Sequence, residues 1–308
     1  MIAFWLRCRL AAEAAILIAA GVLFVRSGTA SPLTATASAV GIFLALHSGA
    51  IVISFAVSRI YAAATPPHFV RPSMWRTVIG EWLAYQALFI LIQPFERLWM
   101  SEDDVGRQAP DVVPVLLVHG YLCNRSAWWW LRRKLKAAGV AVATVSLEPP
   151  FGSIDGFADQ LHTRIEALRA ETGADQVTIV GHSMGGLAAR EYLRRRHESS
   201  RVAKLITLGS PHHGTRLAYY SPGENARQME PDSAWIRALP PATPRVPTVT
   251  IWSPSDNFVA PQDSSRLVGA SERILPGLSH LVMLFSPVVL DTLMRELPSG
   301  HGNRTSQK

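Results

Sequence analysis

Residues 177–185 read VTIVGHSMG. The β-branched run 177–180 has the pattern of a buried strand. It breaks into Gly181-His182-Ser183-Met184-Gly185, and small, helix-forming residues follow. Glycines two before and two after a serine imply a turn too tight for side chains at those positions. Such a joint lifts Ser183 clear of the strand end. The spacing is G-x-S-x-G between a strand and a helix, the context in which the serine is a nucleophile. An alcohol is a weak nucleophile at neutral pH, so Ser183 needs a base and the base needs an orienting acid. An elbow of this kind takes them in the chain order serine, acid, histidine. Asp256, in WSPSDNFV, directly follows an expected strand and is the preferred acid; Asp263, in QDSSRL, reads as a helix-start cap. His280, in LPGLSHLVM, is the expected base. His301 lies in a polar tail, and His212 and His213 precede both acids. The developing oxyanion needs preorganised N–H donors. Met184 supplies one at a helix start, and Tyr121, in the loop His119-Gly120-Tyr121, supplies the other.

The elements that must hold these residues alternate. Strands are expected at 113–118, 140–147, 177–180, 202–208, 247–252 and 270–275. Helices are expected at 126–138, 154–172, 185–197, 226–239 and 281–296. Repeated βα units give a parallel sheet covered by helices, with active residues at the carboxyl ends of the strands. Trp128, Trp129 and Trp130 cannot all face one core, so either one is exposed or they form a rim near a lipid pocket.

Before this region lie three apolar stretches, at about 10–26, 37–58 and 78–95. A membrane helix needs about 20 such residues. The second stretch is uncharged, with His47 near its middle; Glu13 interrupts the first and Glu81 the third. Arg7, Arg9 and the sequence Gly28-Thr29-Ala30 would also suit a signal peptide. Phe4, Trp5 and the second span that follows at once favour retained helices. Arg7 and Arg9 place the N-terminus in the cytoplasm, with Arg59, Arg71 and Arg76 in the next cytoplasmic loop and only Arg26 between. A third crossing at 78–95 is expected. It makes a multi-pass protein of the bacterial inner membrane with its last domain in the periplasm. The rival is a segment lying on the membrane surface. The organisation is then a membrane region at 1–100, a linker at 101–111, a catalytic domain at 112–298 and a disordered tail at 299–308. Since the candidate chemistry lies beyond residue 110, deleting 1–100 is expected to leave a soluble, active domain.

The chain has 308 residues, 30 of them Lys or Arg against 23 Asp or Glu, for a net charge of +7. That balance suits attraction to anionic lipid headgroups. No nucleic-acid-binding module is legible, so no nucleic acid is expected as a partner. Two cysteines, Cys8 and Cys123, in different segments make no disulfide framework.

PVLLVHGYLCNRSAWWWL, SLEPPFGSIDGFADQL, VTIVGHSMGGLAAREY, LITLGSPHHGT and the SDNFV…LSH tail together resemble bacterial lipases and esterases of the α/β-hydrolase superfamily. The resemblance covers about residues 112–297. It implies an α/β-hydrolase fold, a mostly parallel sheet flanked by helices; it says nothing about residues 1–110, where the apolar stretches are read as two or three transmembrane helices preceding that fold. It also implies a serine hydrolase cleaving carboxylic esters of lipids through an acyl-enzyme, with lipid or ester substrates, membrane lipids as surroundings and no cofactor. Many such lipases carry an Asp just after the histidine for a structural calcium; Leu281-Val282-Met283 stand here, so no metal is expected. The lid region, around 215–244, is brief. His119, Gly120, His212 and His213 are candidates for shaping the pocket; the rival role for the two histidines of Gly209–Gly214 is holding a tight loop. The same residues would also serve a thioesterase or acyltransferase, and a non-catalytic interaction protein is the remaining alternative.

Overall fold

The computed structural model describes residues 1–62, 73–109, 112–196, 199–240 and 245–298. Seven helices of at least nine residues frame it: α1 (Ile2–Arg26), α2 (Pro32–Ile60), α3 (Met74–Gln86), α4 (Trp129–Ala137), α5 (Ile154–Thr172), α6 (Met184–Arg196) and α7 (Pro287–Glu296). Six strands, β1 (Val115–Val118), β2 (Val142–Val145), β3 (Val177–His182), β4 (Val202–Leu208), β5 (Thr248–Trp252) and β6 (Ser271–Ile274), make one sheet in the order β2-β1-β3-β4-β5-β6. Every neighbouring pair is parallel. Strands β1, β2, β3 and β5 are buried along their whole length, as a sheet covered on both faces requires. The outer strand β6 carries Glu272 and Arg273, charges that discourage pairing at an open edge.

The two faces explain the sequence periodicities. Phe157, Leu161 and Ile165 of α5 and Leu187 and Tyr192 of α6 pack on Leu116 and Ile179. Leu131 and Leu135 of α4 and Val289 and Leu293 of α7 pack on Leu117, Val180 and Ile251 from the other side. Helix α5 starts where the Ser153 hydroxyl accepts the Gly156 N–H at 3.1 Å and stops at Gly173, φ 76°. The irregular stretch 226–239 resolves into two short helical turns, Glu224–Gln228 and Ala234–Ala238. Trp128 is fully buried, while Trp129 and Trp130 pack on the same cluster and Trp129 meets Trp99 edge-on at 4.9 Å. Trp128 is core, Trp129 and Trp130 are partly buried at its edge, and none of the three lines the cavity beside Ser183.

Two helices, α1 and α2, are long and apolar enough to cross a membrane. Ser31 caps α2 by accepting the Thr34 N–H, with Pro32 at the first helical position. The Glu13 carboxylate that interrupts α1 lies 3.4 Å from His47 of α2, and Arg9 lies 3.1 Å from the same ring. Each of these polar groups finds its partner between the two helices.

The third apolar stretch is a correction to the expected third crossing. Helix α3 continues as a π-helical turn, Ala87–Ile92, and both lie on the sheet. Ala84, Leu88 and Ile92 share a cluster with Leu117, Val180 and Ile251. Gln93, fully buried, accepts the Asn124 N–H at 2.8 Å. An apolar run of this length reads alike as a span or as a core helix, and here packing makes it the second. Its outward side chains Ile79, Leu83 and Leu91 stay exposed, which matches the surface-lying rival. Residues 101–109 of the expected linker are held against the rest of the chain. Asp103 accepts the Thr144 N–H at 2.7 Å and pairs with Arg132 at 3.0 Å and Arg164 at 3.5 Å. Deleting 1–100 would therefore strip a layer from the core, and the expectation of a soluble active remnant is withdrawn. The tail at 299–308, Arg71, and residues 110–111 fall outside the described residues.

Candidate active site

Ser183 sits between β3 and α6 with φ 55°, a left-handed conformation that a non-glycine residue adopts rarely and at a cost. The surrounding structure enforces it. A Cβ on Gly181 would lie 2.6 Å from the Gly186 nitrogen, and one on Gly185 would lie 2.4 Å from the Val118 carbonyl oxygen. The two glycines flanking the serine are thus required by close backbone approach. The Ser183 N–H donates to the Leu208 carbonyl at 2.9 Å, tying the elbow to β4. The chain reverses direction across the sheet at β1, which lies between β2 and β3, and clefts form at the strand ends beside such a switch. The register Val118↔Gly181 brings the loop His119-Gly120-Tyr121 beside the elbow, and a Cβ on Gly120 would lie 2.8 Å from the Ser183 Cβ.

Asp256 and His280 meet in space. The His280 Nδ1–H donates to Asp256 Oδ2 at 2.8 Å. Asp256 Oδ1 accepts the N–H groups of Phe258 at 2.8 Å and Val259 at 2.9 Å. Both side chains are buried, Asp256 2% and His280 4% exposed. Burial opposes charging His280, but the charge and hydrogen bond of Asp256, with the charge of Glu81, outweigh it and raise its pKa. Asp263 lies exposed in a 3₁₀ turn, Gln262–Ser265, away from this pair.

Ser183 and His280 line one cavity of about 320 Å³, together with Gly120, Tyr121 and His182, a size typical of small-molecule sites. Met184 opens α6. The Tyr121 hydroxyl donates to the Pro222 carbonyl at 2.6 Å, crossing to the short segment that stands where a lid would be. His182 packs on the His280 ring with centroids 4.5 Å apart and donates through Nε2 to the His280 carbonyl at 3.2 Å. Burial first, then the neighbouring His280, holds its pKa well below the usual value.

Three pocket candidates do not line the cavity. His119 is fastened at both ring nitrogens, donating from Nδ1 to the Gly120 carbonyl at 2.9 Å and accepting the Leu147 N–H on Nε2 at 2.9 Å. Burial pushes its pKa down to about 4. His212 is buried between Thr207, 3.1 Å from its Nε2, and Arg190, whose guanidinium also donates to the His212 carbonyl at 3.1 Å. His213 is exposed, and its backbone N–H donates to the Ser264 hydroxyl at 3.2 Å. The bonds of His119 and His212 tie loops together, which for His212 is the rival role stated above. Gly120 alone of the four lines the cavity.

Two residues were missed. Glu81 of α3 is fully buried, and its carboxylate accepts the Leu281 N–H at 3.0 Å and the Val282 N–H at 3.2 Å. It clamps the backbone immediately after His280. Asn257 accepts the His280 N–H at 3.2 Å and donates to the Ser54 hydroxyl of α2 at 2.7 Å. The signal for Glu81 was a lone carboxylate in an apolar run; nothing in the sequence marked Asn257.

A six-stranded parallel sheet under helices, with a serine elbow after β3 and an acid–histidine pair after β5 and β6, is the α/β-hydrolase fold. Residues 114–237 match the palmitoyl protein thioesterase family. A triacylglycerol lipase of Pseudarthrobacter phenanthrenivorans is 33% identical over 114 residues, 34% of this chain and 35% of that protein. A triacylglycerol lipase of Burkholderia plantarii is 33% identical over 114 residues, 34% of this chain and 31% of that protein. The chain spans about a third of the length of the curated relatives it matches. A crystal structure of a Bacillus licheniformis lipase superposes with TM-score 0.57 at 18% identity, covering 65% of this chain and 98% of that one. Lipase B of Aspergillus fumigatus gives TM-score 0.57 at 20% identity, covering 69% and 58%. The chain is an α/β-hydrolase by fold, and its central region is similar to lipases.

Proposed function

We propose that this protein is a membrane-bound carboxylic ester hydrolase acting on lipid esters. The observation that carries the reading is the Asp256–His280 hydrogen bond at 2.8 Å beside a cavity that also holds the strained Ser183 elbow. Ser183 Oγ attacks the ester carbonyl while His280 Nε2 takes its proton. The N–H groups of Met184 and Tyr121 receive the oxyanion, as a tetrahedral intermediate requires. His280 returns the proton to the leaving alcohol, leaving an acyl-enzyme on Ser183. Water, deprotonated by His280, then frees the acid. Asp256 holds the imidazole in the tautomer that this exchange needs.

Thioester cleavage is a second reading, favoured by the match of residues 114–237 to the palmitoyl protein thioesterase family. The chemistry is the same, with a thiol as leaving group.

The hairpin of α1 and α2 gives two crossings. The first two turns of α1 and the last turns of α2 touch the hydrolase, so the hydrolase shares a side with the N-terminus. Arg7, Arg9, Arg59 and Arg76 lie on that side and Arg26 on the other, which makes it the cytoplasmic side. On this reading the hydrolase is cytoplasmic, in place of the periplasmic side expected with a third crossing.

The test is an assay of the full-length protein on butyrate and palmitate oxygen esters and on a palmitoyl thioester, with Ser183→Ala alongside. Wild type should turn over the oxygen esters and be labelled by a fluorophosphonate. Ser183→Ala should lose both, by on the order of 10⁴–10⁶ in kcat. A Ser183→Ala protein within tenfold of wild type would remove the assignment, and a thioester preference above tenfold would favour the second reading.

A further inference from the structure

The cavity beside Ser183 is not enclosed by the hydrolase alone. Ile2, Trp5 and Leu6 of α1 and Ala50 of α2 line it, with Tyr85 of α3 and Phe89 of the turn that follows. Ile2 and Leu6 are 3% and 1% exposed, so this wall is tightly packed. Polar contacts fasten it in place. Arg7 Nη1 donates to the Pro94 carbonyl at 2.8 Å, Trp82 Nε1 donates to the Ser48 hydroxyl at 2.8 Å, and Asn257 Nδ2 donates to the Ser54 hydroxyl. Asn257 also receives the His280 N–H, so the hairpin is bonded to the residue that supports the candidate base.

The depth of the hairpin says what stands outside this wall. Helix α1 lines the cavity and meets the hydrolase through Ile2 to Arg9, which leaves residues 10–26, roughly 25 Å of helix. Helix α2 is fastened from Ser48 onward, which leaves residues 32–47, roughly 24 Å. A bilayer hydrocarbon core is about 30 Å thick. A hairpin that crosses it must therefore draw lipid tails up alongside its docked turns. The outward side chains there are apolar: Phe4 is 65% exposed, Val52 64% and Ile53 54%. Trp5, Ala50 and Tyr220 both line the cavity and reach the surface.

We infer that the α1–α2 hairpin is the bilayer-facing wall of the substrate cavity, and that the cavity takes the acyl chain of a bilayer lipid directly from the membrane. The inference rests on the reading of Ser183 as an ester-cleaving nucleophile. It gives the hairpin a part in substrate choice as well as in anchoring, and it explains why the lid segment is short: helices of the same chain already cover the cavity.

Full-length protein in phosphatidylcholine vesicles provides the test. The measured quantity is the ratio of kcat/KM for palmitate over butyrate esters. Ala50→Trp fills the wall from the α2 side. Each methylene denied a buried site costs roughly fourfold in binding, so the ratio should fall at least tenfold. Ile53→Trp, on the outward face of α2, should leave the ratio unchanged. Fluorophosphonate labelling of Ser183 reports whether each variant keeps a formed site. Should Ala50→Trp fail to label, wild type decides alone: a fluorophosphonate with a dodecyl tail ending in a diazirine is coupled to Ser183 and photolysed. Crosslinks to residues 2–9 or 48–58 are expected. An unchanged ratio in a labelled Ala50→Trp protein, or crosslinks confined to 211–229, overturns the inference. Absence of labelling and of ester turnover in wild type would instead remove the reading on which it rests.

Discussion

Replacing Glu81 with glutamine and with alanine separates two roles of one buried carboxylate. Burial, partly offset by the charge of His280, pushes its pKa from 4.5 up to about 6. The native state thus holds this proton more tightly than the unfolded chain does. Its contribution to stability is full below pH 4.5 and is lost as pH rises through 6, an effect of about 2 kcal/mol. Glutamine, like the protonated acid, is neutral and keeps an acceptor oxygen for Leu281 and Val282. At pH 7.5, Glu81→Gln should therefore melt no lower than wild type. Alanine leaves both buried N–H groups without an acceptor, at about 1–3 kcal/mol each. Its Tm should fall by on the order of 10 °C. Activity reads the second role. His280 faces Asp256, Glu81 and the neutral His182, and the Glu81 charge helps to raise its pKa. Without that charge, the acid limb of kcat/KM should move to lower pH in Glu81→Gln. Differential scanning calorimetry and a pH–rate profile on a short-chain ester measure both. An acid limb superposable on wild type in Glu81→Gln, or an unchanged Tm in Glu81→Ala, would refute the reasoning.

Asp256→Asn should lower kcat by about 10⁴, the effect of the wrong imidazole tautomer, while the exposed Asp263→Asn stays within threefold; steady-state kinetics with the reverse ranking would move the acid. Gly185→Ala drives a Cβ to 2.4 Å from the Val118 carbonyl oxygen and should destabilise by at least 2 kcal/mol, seen as a lower denaturation midpoint and loss of fluorophosphonate labelling. Deleting residues 1–100 should yield insoluble protein, since Leu88, Ile92 and Gln93 leave the core; a monodisperse, active product in gel filtration would contradict this packing. In sealed cells a protease added outside the inner membrane should leave the hydrolase intact, and cleavage there would restore a third crossing.

Local chemistry made the elbow legible. Gly181 and Gly185 must be glycine because backbone crowds them within 2.6 Å and 2.4 Å of any Cβ, and that need is written into five consecutive residues. The strand and helix alternation after residue 112 was legible for the same reason: each element carries its own period. Asp256 and His280 could be paired by chain order and by position after a strand, although their contact spans 24 residues. What periodicity could not decide was the solvent of an apolar helix. Residues 78–95 satisfy the composition of a span and of a core layer equally, and only the sheet face waiting for Ala84, Leu88 and Ile92 separates the two. Glu81 and Asn257 were hidden for a related reason. Their roles are hydrogen bonds to groups 200 and 23 residues away, and a backbone N–H leaves no mark in the sequence of its distant acceptor. The sequence by itself determined the tight elbow around Ser183 and the parallel sheet, because those depend on neighbours along the chain. Tertiary structure alone decided which apolar helix packs on the sheet and that the α1–α2 hairpin lines the cavity beside Ser183, because burial depends on what packs against a side chain.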